Sequence, residues 1–160
     1  MVHPRACLTG QRLHNPRPAG SVPPVTGTPS REWGSLREDL DADVRRVTDR
    51  ARNLSQARLA APVGSHPSRA HAVRVVAQQL AEAAQGIAAR EDPTEPGWRD
   101  LPVLSDLAVG DQLAVVGRDL IAELAGCEPA AAVWARGAWR TAFDVVSAAT
   151  GALATTRRLL

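Results

Sequence analysis

From Ser30 onward, apolar positions recur at steps of three and four residues, the spacing of one face of a helix. Trp33, Leu36, Leu40, Val44, Val47, Ala51, Leu54 and Arg58 form a first stripe, its last position amphipathic. Arg37, Glu38, Asp39, Asp41, Asp43, Arg45, Arg46 and Asp49 lie between as a charged outer face. Ser30 or Ser35 can cap it, Ser35 and Glu38 having the capping-box spacing, and Pro62 and Gly64 end it. The pattern predicts a helix from about Ser30 to Ala61. A second stripe, Val73, Val76, Leu80, Ala83 and Ile87, starts around Ser65 to Ser68 and stops at "REDPTEPGW", where Pro93, Pro96 and Gly97 forbid continuation.

The third segment, "LPVLSDLAVGDQLAVVGRDLIAELAG", is the most apolar. At 100° per residue, Leu107, Val109, Gly110, Leu113, Ala114, Val116, Gly117, Leu120, Ile121 and Leu124 fill about half the circumference, which predicts deep burial. A fourth stripe follows "CEP", with Pro129 in its first turn: Ala132, Ala135, Trp139, Ala142, Val146, Ala149, Leu153, Thr156 and Leu160. Arg157 and Arg158 suit the negative pole of that helix. Four helices joined by short or moderate connections predict an all-α fold, an antiparallel up-down four-helix bundle over residues 30–160.

Residues 1–29 have no hydrophobic period and are rich in proline, so a disordered tail is expected there. The character of the chain changes at Val25. Either translation starts near that residue and the upstream stretch is a mis-annotated start, or the stretch is a disordered arm.

Composition narrows the function. There are 29 alanines, no tyrosine and no lysine, and all 19 basic residues are arginine, the mark of GC-rich coding. The net charge of +2 is the sum of +3 in residues 1–24, which hold Arg5, Arg12 and Arg17 and no acid, and −1 in the rest. From Val25 onward 16 arginines meet all 17 acids, so no basic surface for a nucleic-acid partner is expected. No run approaches the ~18 apolar residues of a membrane span, and the beginning of the chain has no apolar signal region. Cys7 and Cys127 read as separate thiols in a reducing compartment, which places the protein in the cytoplasm.

Candidate chemistry is sparse. Glu-x-x-His pairs are absent, and His66 and His71 have no ligand at metal-binding spacing, so no metal and no cofactor are expected. No serine sits in a Gly-x-Ser-x-Gly elbow, and no catalytic set assembles. The third segment carries the remaining polar candidates, Asp106, Asp111, Arg118 and Asp119, as ligand or ion-pair residues. Asp106 either caps the helix or is a buried carboxylate that needs an arginine. Asp111 and Arg118, two turns apart on the border of the apolar arc, read first as interhelical ion pairs and second as ligand contacts. Gly110, Ala114 and Gly117 form one edge of the arc. Each glycine costs about 1 kcal/mol of helix propensity, which a close-packed helix seam would offset. Trp139 falls on the fourth stripe, Trp134 off it, and Trp33 and Trp98 flank helix starts; Trp98 and Trp134 are candidates for a partner-binding patch.

"LSQARL" followed by "LPVLSDLAVGDQLAVVGRDLIAEL" resembles small, uncharacterised helical proteins of actinobacterial, high-GC type. The likeness covers about Leu54 to Leu124; it implies a source and a helical fold, and no activity comes with it. The expected function is therefore that of a non-enzymatic helical bundle acting through self-association, as a homodimer over the alanine-rich fourth helix, or through a protein partner. The alternative is a bundle that binds a small ligand between its third and fourth helices, near Asp106, Asp111, Arg118 and Trp139.

Overall fold

The computed structural model describes residues 29–160. The start near Val25, Cys7 and the expected tail up to residue 28 lie outside the described residues, and Pro29, expected as its last residue, is the first of α1. The fold is mostly helical with one small two-stranded sheet: α1 Pro29–Arg52, α2 Gln56–Ala60, α3 Arg69–Ala88, α4 Val109–Glu123, β1 Ala132–Ala135, β2 Ala138–Thr141 and α5 Ala142–Leu159. A single 3-10 turn, Asp106–Ala108, leads into α4. No helix among the described residues is long and apolar enough to cross a membrane.

The first stripe is buried as spaced, from Trp33 through Leu40, Val44 and Val47 to Ala51. It does not run on to Ala61. α1 ends at Arg52, and Ser55 starts a new short helix by accepting the Arg58 backbone N–H on its hydroxyl. The stripe changes register there, so Leu59 is buried in place of Arg58. Asp43, expected on the outer face, is buried: its carboxylate accepts from Arg46 at 3.0 Å and from Arg157 of α5 at 2.8 Å.

α3 starts where Ser68 caps it by accepting from the His71 N–H, and it buries most of its circumference, leaving His71, Val75 and Gln79 as an exposed stripe. It packs, as α1 does, against both α4 and α5. Helix directions follow from the side chains that meet. Along α4, Gly110 lies beside Thr48 and Arg52 and Gly117 beside Val44, so α1 and α4 are antiparallel. Trp33 meets Phe143 and Asp43 meets Arg157, so α1 and α5 are parallel. Arg74 meets Asp106 at one end of α3, while Ala88 and Glu123 border one depression at the other, so α3 and α4 are parallel. The expected up-down-up-down order is thus replaced by up, down, down, up for the four long helices. Two parallel consecutive helices require a long return, and "REDPTEPGWRDLPVLS" supplies it.

That return is an extended strap laid back along α3. The Arg99 N–H donates to the Gln85 side-chain carbonyl and the Leu101 N–H to that of Gln78, each at 2.8 Å. Farther along, the Arg74 guanidinium donates to the Leu104 carbonyl at 2.9 Å. Gln85, Gln78 and Arg74 stand seven and four residues apart, one row on the helix, and satisfy strap backbone that would otherwise lie unpaired against it.

The expected fourth helix begins late. Residues 132–141 form an antiparallel hairpin, with Trp134 opposite Trp139 and the two-residue loop Arg136–Gly137 at its tip. Gly137 takes φ +76°, a conformation such tight hairpin loops demand and glycine supplies without cost. The helical spacing of Ala132, Ala135 and Trp139 was therefore an accident of alanine abundance. α5 starts at Thr141, whose hydroxyl accepts the Asp144 N–H and donates to the Asp144 carboxylate, a reciprocal cap. Below it Val146, Ala149, Leu153, Thr156 and Leu160 are buried as the stripe required.

Three glycines separate the kinds of contact involved. A Cβ on Gly86 would stand 2.0 Å from the Trp134 carbonyl oxygen, a backbone atom of the docked hairpin. On Gly117 it would meet Val44 Cγ1 at 2.4 Å, and on Gly151 it would meet nothing within 4 Å. In urea unfolding, Gly86→Ala is expected to cost about 3 kcal/mol or more, since backbone must move. Gly117→Ala is expected to cost about 1–2 kcal/mol, and Gly151→Ala to gain up to about 1 kcal/mol from helix propensity alone. Equal effects at Gly86 and Gly151 would refute the docking geometry.

Candidate functional site

The strap and the hairpin rise from α3 as two walls, and between them and α5 runs a groove of about 670 Å³. Its floor is small: Ala83 from α3 and Ala148, Ala149 and Ala152 from α5. Trp98 of the strap and Trp134 of the hairpin form the aromatic side. Gln79, Glu82, Arg136, Arg140 and Asp144 line its polar rim.

The hairpin tip is clamped. Arg136 donates to Glu82 at 2.7 Å and to Asp100 at 3.0 Å, and its guanidinium lies 5.6 Å from the centre of the Trp98 ring. Glu95 completes the clamp: one carboxylate oxygen accepts the Trp98 indole N–H at 2.6 Å and the Gly137 backbone N–H at 2.7 Å. Deeper in, the Trp134 indole donates to the Asp92 carbonyl at 3.1 Å and its ring lies 4.0 Å from that of Trp139. Each wall thus holds the other through charge-assisted and aromatic contacts.

These contacts shift the acids. The Gly137 N–H and the Trp98 indole hold Glu95 below its ordinary value. At Glu82 burial pushes upward, but hydrogen bonds from Arg136 and Gln78 outweigh it and the net displacement is downward. Arg136 is raised, chiefly by its bond to Glu82.

The polar residues singled out in the third segment do not converge. Asp106 opens the 3-10 turn and pairs with Arg74, so it meets the arginine that a partly buried carboxylate needs. Its side chain caps nothing, and neither does that of Ser105. Asp111 is exposed and pairs with Arg52 of α1, whose Nε and Nη2 donate to Oδ1 at 2.8 and 2.6 Å. Arg118 is exposed, donates to the Ala114 carbonyl at 3.3 Å, and has no carboxylate in ion-pair range among the described residues. Asp119 borders the depression between α3, the strap and α4. Gly110 and Gly117 face α1 at contact distance, with the half-buried Ala114 between them. A ligand pocket built from Asp106, Asp111, Arg118 and Trp139 is not what these positions make.

Among the tryptophans, Trp134 is 4% exposed, an inner wall where a surface patch was expected. Trp139 belongs to β2, and the half-buried Trp98 flanks the groove. Trp33 closes one end of the core, its indole donating to the Cys127 carbonyl at 3.1 Å. Burial pushes the Cys127 thiol up, away from nucleophilic use. His66 and His71 approach to 3.3 Å between Nδ1 atoms, yet no three metal-ligating side chains converge among the described residues. Sequence reading missed Glu82, Glu95, Arg136 and Arg140. The one available signal was "ARGAW", a two-residue turn between tryptophans, hidden inside an apparent helical stripe. No family model matches the chain, and no curated protein or solved structure matches it either.

Because Glu82 and Glu95 are held below the ordinary glutamate value of 4.5, their contribution to the clamp is complete above that pH. It is lost as pH falls through their lower folded values. Protection of the Ala132–Thr141 amides against hydrogen exchange is therefore expected to fall as the pH drops below 4.5, ahead of that of the α3 amides. In Glu95→Gln the acid-induced loss of protection should shrink. Hairpin and α3 amides losing protection together would contradict a locally clamped hairpin.

Proposed function

We propose that this protein is a binding module that holds a segment of a partner protein in the groove between α3, α5 and the two walls. The observation that carries this reading is the composition of the groove: an alanine floor beneath a tryptophan side and beside an unpaired cation. Alanines let an incoming backbone come close, and Trp98 offers a flat apolar surface at small entropic cost. Glu82 and Arg136 neutralise one another and Asp144 is engaged by Thr141, but Arg140 is exposed and has no carboxylate partner among the described residues. The occupant that fits is a short segment with small side chains toward the floor and an Asp or Glu toward Arg140.

Catalysis finds little support in the same lining. Among the described residues the groove contains no serine, cysteine, histidine or lysine, and both of its carboxylates already have partners. The buried, unbridged Cys127 agrees with a reducing compartment, and we place the module in the cytoplasm.

Selection of displayed peptides against the full chain tests this reading. Enriched peptides are expected to carry an acid next to small residues and to quench Trp98 fluorescence on binding. Arg140→Glu should weaken them at least tenfold, by removing one charge-assisted bond and adding repulsion. Absence of enrichment, or peptides that bind Arg140→Glu equally well, would remove the groove as the functional surface.

A further inference from the structure

α4 presents an outward face that no other element among the described residues covers. From Leu107 in the leading 3-10 turn and on along α4, Asp111, Val115, Arg118 and Ala122 are all exposed with it, at the four- and three-residue steps of one helical stripe. Leu107 is 58% and Val115 52% exposed. The neighbouring strap and α3 add Val103, Leu104 and Val75. Together these are five of the six large hydrophobic residues exposed among the described residues. Gln112 ties the two parts together, donating to the Pro102 carbonyl at 2.8 Å. Scattered apolar residues on a surface are ordinary, whereas a gathered patch marks an interface.

The charges on the stripe identify what fits it. Asp111 and Arg118 lie seven residues apart, on either side of Val115. Arg118 has no carboxylate in range among the described residues, and both bonds from Arg52 fall on Asp111 Oδ1, leaving Oδ2 available. A second α4 laid antiparallel, with a two-fold axis between Ala114 and Val115, pairs residue numbers symmetrically about that point. Asp111 of each copy then faces Arg118 of the other, Leu107 faces Ala122, and Val115 sits beside Ala114. Asp119 falls roughly 80° round the helix from Asp111, at the rim, clear of the like charge. An isologous interface must complement itself, and this stripe does.

We propose that the protein forms a two-fold symmetric homodimer through the outward faces of two antiparallel α4 helices, with the apolar strap residues at its margin. The inference does not depend on the groove reading. A single four-turn helix with its flanks is a modest interface, so the dissociation constant is on the order of micromolar.

Sedimentation velocity of the full chain from about 1 to about 300 µM tests the proposal. The wild type is expected to pass from monomer to dimer in that range. Arg118→Asp and Val115→Glu, both at exposed positions, should each weaken the dimer at least about thirtyfold with unchanged circular dichroism. Asp111→Arg should do the same. An equimolar mixture of Arg118→Asp and Asp111→Arg chains should recover dimers, because both cross-pairs are then complementary, and the double variant should recover them alone. If Asp111→Arg loses its fold with its Arg52 partner, the two exposed variants decide the matter. A monomer at every concentration overturns the proposal. So does a dimer indifferent to Arg118→Asp and Val115→Glu, or a mixture of two folded single variants that stays monomeric.

Discussion

α3 and α4 run in the same direction, and this is the constraint from which most of the molecule follows. Consecutive parallel helices oblige the chain to travel back the length of the first, about 30 Å for the 20 residues of α3 at ~1.5 Å per residue. A segment doing so lies against a helix with its own backbone groups unpaired. Gln85, Gln78 and Arg74 meet that demand as a row of side-chain donors and acceptors, and Gln112 adds a fourth tie from α4. The prolines that stop α3 are therefore also suited to the extended path that follows it.

The strap changes what the far surface can do. With one edge of α3 occupied, the hairpin docks on another, and it does so where Gly86 removes the side chain that would block the Trp134 carbonyl. Strap and hairpin then meet over Arg136, so the clamp of Glu82, Glu95, Asp100 and Trp98 depends on both. The groove is the space these walls leave above the alanines of α3 and α5. On the opposite flank the same strap leaves Val103 and Leu104 in solvent beside α4. The return segment thus contributes to both candidate association surfaces.

The sequence carried the helical class, three of the four long stripes and the core residues on them, because leucine, valine and isoleucine at steps of three and four report burial directly. Gly110 and Gly117 were legible for the same reason: a helix tolerates glycine on an apolar edge where another backbone must approach. Direction was not legible. The linker after Ala88 reads equally well as a slack loop or a taut strap, since its partners Gln85 and Gln78 look like ordinary polar positions on a helix. The hairpin was hidden by composition, as alanine satisfies a helical step almost anywhere in a chain so rich in it. Asp43 shows the remaining gap, since whether a carboxylate on a helix faces water or an arginine of another helix is decided by packing between distant segments.

The parallel course of α3 and α4 can be measured directly. Spin labels would be placed at exposed Ala88, at the end of α3, and at either Ser105 or Ala125, in a chain whose Cys7 and Cys127 are replaced by serine. Pulsed dipolar spectroscopy should give Ala88 to Ala125 as the short distance, under about 20 Å, and Ala88 to Ser105 as the long one, about 30 Å from the helix rise. The reverse order, with Ser105 the near neighbour, would mean that the helices are antiparallel, and the strap, the clamp and the groove would fall with that result.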